Sequence, residues 1–236
     1  MKRTLLIIGS SGGIGKALVN HFKGSDFNLA LHYFKNKPET KSEQIKTYQA
    51  DITKESEVEG LIQEVVNDFG RIDMVVHNAG VSRNGMSWKL DQSDWDETIA
   101  VNLTGPFLVS KHIIPIMHEQ AFGRIIFMSS VVAQTGFIGT SAYAASKAGL
   151  LGLTKTLAKE LAQKNITVNS IALGYFNTGM IHDVPAEMQE VLKSNIPVGD
   201  LGDPSQLAHI LDSIFAEKAS YLTGQTINLN GGLFVS

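Results

Sequence analysis

The sequence predicts an α/β fold built on a doubly wound parallel sheet of about seven strands, and three observations carry that prediction. Short, nearly continuous apolar runs recur along the chain, as strands covered on both faces require. Longer stretches with apolar residues at three- and four-residue spacing lie between them, and these read as helices. The two kinds alternate, which means βαβ units with helices on both faces of the sheet.

The apolar runs are Thr4–Ile8, Asn28–Tyr33, Met74–His77, Arg124–Ser129, Thr167–Ala172 and Thr226–Leu229, and Tyr48-Gln49-Ala50 is a further strand-like segment. The helical patterns are Lys16–Lys23, Glu55–Phe69, Asp91–Gln120 and Ala142–Gln163. Glu39, after Pro38, is expected to open another helix. Two segments read as loops beside a site: Val81–Lys89, and Thr178–Asp203 with a short helical pattern at Ala186–Ser194 inside it.

With 236 residues, 43% of them hydrophobic, the chain is long enough for a sizeable core and short for two domains, so one unit spanning 1–236 is expected. The formal charge is −3, and neither sign collects into a block, which argues against nucleic acid and anionic membranes as partners. With no cysteine, a disulfide framework and a thiolate zinc site are excluded. The apolar run after Met1-Lys2-Arg3-Thr4 is too short for a signal peptide, and no stretch approaches the roughly 20 apolar residues of a membrane helix. A soluble, cytoplasmic protein is expected. The seven histidines show no ligand spacing, so no metal site is expected. Asp91, Asp94 and Asp96 suit a helix N-terminus better than a cation.

Directly after the first strand comes Gly9-Ser10-Ser11-Gly12-Gly13-Ile14-Gly15, followed by the helical Lys16-Ala17-Leu18-Val19. Glycines let the backbone turn sharply and approach a pyrophosphate, while the next helix aims its N-terminal N–H groups at the anion. Gly9, Ser11, Gly13, Ile14 and Gly15 are therefore candidate cofactor contacts.

A strict NAD site usually has an acid at the end of the second strand, about twenty residues past the glycines. Here that region reads His32-Tyr33-Phe34-Lys35-Asn36-Lys37, with no carboxylate. Lys35, Lys37 and His32 suit a 2′-phosphate, so NADP(H) is preferred to NAD(H), with Tyr33 and Lys35 as contacts.

Tyr143-Ala144-Ala145-Ser146-Lys147 places a tyrosine and a lysine four residues apart, on one face of a predicted helix. An unperturbed tyrosine has a pKa of about 10. A neighbouring ammonium favours the phenolate, so the pair makes a usable acid/base.

The spacing Gly9-x-x-x-Gly13-x-Gly15 together with Tyr143-x-x-x-Lys147 resembles the short-chain dehydrogenase/reductase family, a single-domain Rossmann fold. The resemblance runs through the whole chain, to Asn228-Leu229-Asn230-Gly231-Gly232. It implies a catalytic set of Asn102, Ser130, Tyr143 and Lys147, with Ser130 polarising a carbonyl, Tyr143 donating a proton, Lys147 on the nicotinamide ribose and Asn102 holding a water. It also implies cofactor contacts at Asp51 and Ile52, at Asn78, Ala79 and Gly80, at Tyr143 and Lys147, and at Gly174 and Thr178. Leu173 departs from the family's usual Pro-Gly turn.

Within the family the chain is most similar to 3-oxoacyl-acyl-carrier-protein reductases. This resemblance implies reduction of a 3-oxoacyl thioester, an acyl carrier protein as partner and a homotetramer. Another ketone, polyketide, sugar or alcohol, or a catalytically silent cofactor sensor, are the alternatives.

Overall fold

A computed structural model describes residues 2–40 and 42–235. The elements run β1 (Thr4–Ile8), α1 (Gly13–Phe22), β2 (Asn28–Tyr33), β3 (Ile45–Gln49), α2 (Glu55–Phe69), β4 (Met74–His77), α3 (Gln92–Ile99), a π turn (Ala100–Thr104) and α4 (Gly105–Gln120). They continue through β5 (Gly123–Ser130), α5 (Val132–Thr135), α6 (Ser141–Leu161), β6 (Ile166–Leu173), α7 (Ala186–Ser194), α8 (Pro204–Phe215) and β7 (Thr226–Leu229).

All seven strands are parallel and lie in the order β3-β2-β1-β4-β5-β6-β7. Period-two alternation sends Leu6, Ile8, Val75, Ile125 and Phe127 to one face, under α2, α4 and α6. Leu5, Ile7, Met74, Val76 and Ile126 go to the other, under α1 and α8. Because both faces are covered, β1, β4 and β5 are buried along their whole lengths. This burial is why they are such plain apolar runs in the sequence.

The strand order reverses between β1 and β4, and the carboxyl ends of the strands part there into a crevice, the usual ligand position in such sheets. The link from β2 to β3 carries no helix among its described residues, contrary to the expectation for Glu39. Pro38 starts a polar run without an apolar stripe, so a helix there has nothing to bury. The continuous helix from α3 through α4, residues Gln92–Gln120, is long and apolar enough by length and composition to cross a membrane, unlike what the sequence suggested. Part of its apolar surface, including Leu108, Val109, Ile113 and Met117, is spent in the core.

Candidate active site

The first wall of the crevice is the glycine turn. Gly9 has φ +84°, and a Cβ there would stand 2.6 Å from the backbone N and Cα of Ala79. Only glycine fits both the dihedral and the approach. The Asn78 amide donates to the Gly9 carbonyl at 2.8 Å, which joins the ends of β1 and β4. Ala79 packs against the core and Gly15 is closely apposed to the Gly9 carbonyl, so both serve the shape of the turn. Helix α1 has Gly12 at its N-cap with no side-chain cap, so its first N–H groups face the crevice mouth. The Ser11 hydroxyl donates to the Asn36 carbonyl, tethering this turn to the segment that carries Lys35.

A cleft of about 360 Å³ opens beyond the turn, lined by Gly13, Ile14, Asn78, Gly80, Ser130 and Tyr143, together with Lys147, Gly174 and Thr178. Nine expected residues thus converge there from five separate parts of the chain. Ser130 ends β5 in the cleft; Ser129 borders it too, but its hydroxyl donates to the Lys147 carbonyl at 2.9 Å. Lys147 is buried, lies 5.7 Å from the Tyr143 ring centroid and donates to the Met128 carbonyl at 2.7 Å.

Burial raises the Tyr143 pKa above its ordinary value. The Ser130 hydroxyl beside it pulls the other way, and the Tyr175 phenol adds to the rise. Burial also lowers Lys147 to about 8, because a dry site disfavours the ammonium. In this geometry desolvation, rather than the lysine, is the largest influence on the tyrosine.

A scan of family models matches residues 8–234 to one described as Enoyl-(Acyl carrier protein) reductase. The chain is 35% identical over 244 residues to the 3-oxoacyl-[acyl-carrier-protein] reductase FabG of Staphylococcus epidermidis, covering 100% of each. It is 36% identical over 241 residues to the FabG of Thermotoga maritima, covering 99% of this chain and 98% of that one. It is also 39% identical over 240 residues to the acetoacetyl-CoA reductase of Shinella zoogloeoides, covering 99% of each. The chain belongs to the short-chain dehydrogenase/reductase family. It is an oxidoreductase.

Several of the expected contacts also have partners within the fold, and for His32 these exclude the expected role. His32 does not face a 2′-phosphate, because its ring is buried, 2% exposed, beneath the glycine turn. Its Nδ1 accepts from the Gly9 N–H at 3.1 Å and its Nε2 faces the Ala50 carbonyl at 3.0 Å, which fixes the proton on Nε2. Burial lowers its pKa, so it braces the turn as a neutral ring.

Asp51 accepts from the Thr53 N–H at 3.0 Å and the Thr53 hydroxyl at 2.7 Å, and these contacts hold its carboxyl below the ordinary carboxylate value despite partial burial. Ile52 is buried in the core against Gly105. The Asn102 amide donates to the Val81 carbonyl at 2.8 Å and to the Ser146 hydroxyl at 3.1 Å, while its oxygen accepts from the Val81 N–H at 2.8 Å. One Nδ2 donor therefore braces the loop and the other reaches α6, so a water could be held only by the remaining oxygen lone pair or by the backbone of the π turn.

Tyr33 is half-buried and ends β2; Lys35 is exposed, its Nζ 5.5 Å from the Phe34 ring. Ser82 and Asn84, from the Val81–Lys89 segment read as a loop beside a site, also line the cleft, as does Tyr175, which nothing in its local sequence singles out. The loop carrying Ser82 and Asn84 is laced to the approach to α6: the Gly85 N–H donates to the Gly139 carbonyl at 2.8 Å, beside a parallel bridge between Gly85 and Thr140.

His77 lies under the site, stacked on Phe127 with centroids 4.7 Å apart. Burial, helped by the charge of Lys147, pushes its pKa down to about 3 from 6.5. Between those values the unfolded chain binds a proton that the folded chain refuses. Stability therefore falls as pH drops through this window, by up to about 1.4 kcal/mol per pH unit from this group. Denaturant midpoints measured against pH should show a shallower acid slope in His77→Asn than in the parent, whatever the absolute stability of the variant.

Proposed function

We propose that this chain is an NADP(H)-dependent reductase of 3-oxoacyl thioesters, working as one unit over 1–236 with the 178–203 segment as its substrate loop. The observation that carries the reading is the convergence of Ser130, Tyr143 and Lys147 in one cleft at the reversal of strand order. The glycine turn fits a dinucleotide: a Cβ at Gly13 would fill the space between the turn and Thr178-Gly179.

When bound, the nicotinamide supplies hydride to the carbonyl carbon. Ser130 holds the substrate oxygen by a hydrogen bond, and Tyr143, kept protonated by burial, donates to that oxygen as general acid. Lys147 holds the ribose hydroxyls from the floor of the cleft. Asn102 keeps the Val81 loop and Ser146 in place around them. Asn78, Ala79, Gly80, Gly174 and Thr178 shape the nicotinamide side; Tyr33, Lys35, Asp51 and Ile52 are assigned to the adenosine side.

The full-length likeness to two 3-oxoacyl-[acyl-carrier-protein] reductases and an acetoacetyl-CoA reductase supports the thioester substrate. We assign an acyl carrier protein as the donor and a cytoplasmic homotetramer as the working form. Support for assembly comes from the outer side of α4, where Phe107 is 48% exposed and continues the apolar surface of a helix already packed on its inner side.

The test is the rate of NADPH and NADH oxidation with a short 3-oxoacyl thioester, on carrier protein and on coenzyme A. Turnover that prefers NADPH supports the reading; turnover only with a ketone that is not a thioester overturns the substrate.

Lys35 carries the cofactor preference. Lys35 is exposed, and although its charge helps hold the Glu97 carboxyl down, Glu97 is hydrogen-bonded to Arg83 at 2.7 and 3.0 Å. Lys35→Ala should raise KM for NADPH about tenfold, the loss of one charge-assisted hydrogen bond, and leave KM for NADH unchanged.

A further inference from the structure

On the opposite side of the molecule from the cleft wall formed by α6, helices α1 and α8 pack against each other through the second core cluster. Their outer rim carries His21 from α1 with His209 and Asp212 from α8. The His21 Nε2 stands 2.8 Å from Asp212 Oδ2, and His209 Nδ1 stands 3.7 Å from the same oxygen. The two imidazoles meet edge to face with centroids 5.2 Å apart, and His21 rests edge-on against the buried Phe22. One ligand atom from each residue lies within 4.8 Å of the other two.

We propose that His21, His209 and Asp212 form a binding site for a divalent transition-metal ion of the zinc class, independent of the reductase site. Two imidazole nitrogens and a carboxylate oxygen are the donor set that such ions prefer, whereas magnesium and calcium prefer oxygen ligands throughout. Ligands at about 2.0–2.2 Å from a tetrahedral ion stand about 3.3–3.6 Å apart, so the three atoms need only small side-chain adjustments. His209 and Asp212 are one helical turn apart and share a face; His21 is held by the packing of Phe22. Three protein ligands leave the fourth position to water.

Helical spacing brings His209 beside Asp212, and the packing of α1 on α8 brings His21 to the same carboxylate oxygen, so that three donors converge on one point. The site joins elements 191 residues apart in sequence, which is why spacing along the chain does not show it. A bound ion would clamp α1, whose other end is the glycine turn, to α8.

The chelator-treated full-length chain, titrated calorimetrically with zinc chloride, tests the site. We expect one saturable equivalent, no matching response to magnesium chloride, and affinity lowered about tenfold or more in both His209→Gln and Asp212→Asn. His209 is 72% exposed at its side chain, so its replacement leaves the fold intact. No saturable binding by the parent, or an affinity that either variant leaves unchanged, overturns the proposal. NADPH turnover in His209→Gln without zinc should match the parent, which separates failure of this site from failure of the reductase reading.

Discussion

Tyr143→Phe should lower kcat for reduction of a 3-oxoacyl thioester by about 10²–10⁴-fold, the usual contribution of a positioned general acid. NADPH binding should stay within a factor of a few, because the change removes one oxygen and keeps the ring whose face lies 5.7 Å from Lys147 Nζ. Fluorescence titration of NADPH beside steady-state turnover separates the two quantities. The sign of the pH dependence follows from the same group. Reduction needs the phenol protonated, and burial raises its pKa, so the parent's reduction rate should hold through neutrality and fall on the alkaline side. A variant with parental turnover would remove Tyr143 from the chemistry and leave the proton to another group.

Gly9→Ala should abolish dinucleotide binding and destabilise the fold by about 3 kcal/mol or more. Two costs add at that position. An alanine at φ +84° carries strain of about 1–2 kcal/mol, and its Cβ would meet the Ala79 backbone at 2.6 Å, where no flexible side chain can yield. Relief requires β1 and β4 to part at the point where Asn78 ties them. Chemical denaturation, with NADPH titrated in parallel, reads both effects. Gly60→Ala is the control, since a Cβ on that face of α2 meets nothing within 4 Å.

The strands were legible because burial on both faces removes the polar residues that would break an apolar run. The meeting of Ser130, Tyr143 and Lys147 was legible because α6 keeps Tyr143 and Lys147 on one face and β5 delivers Ser130 at its end. Helix α8 was not anticipated, although Asp203 and Gln206 form a capping box at its start. That signal sits directly after Gly199 and Gly202 and reads there as part of a loop. His32 was misread because a basic residue near the end of a strand resembles a phosphate ligand. The strand continues to Tyr33, and the ring is drawn under the glycine turn by two backbone partners that lie 23 and 18 residues away. That Val81–Lys89 borders a site was legible, but which of its side chains line the cleft, and that Tyr175 joins them, depends on how loops meet across the crevice, which local pattern does not encode.

The lacing of Gly85 to the 139–140 backbone has a mechanical consequence. Residue 140 is the N-cap of α6, and Tyr143 stands in the first turn of that helix. The lip carrying Ser82 and Asn84 and the Tyr143 phenol are therefore coupled in series by one backbone clasp. If a substrate's acyl chain displaced this lip, as the proposed function would allow, the movement would reach the turn that carries the Tyr143 phenol within three residues.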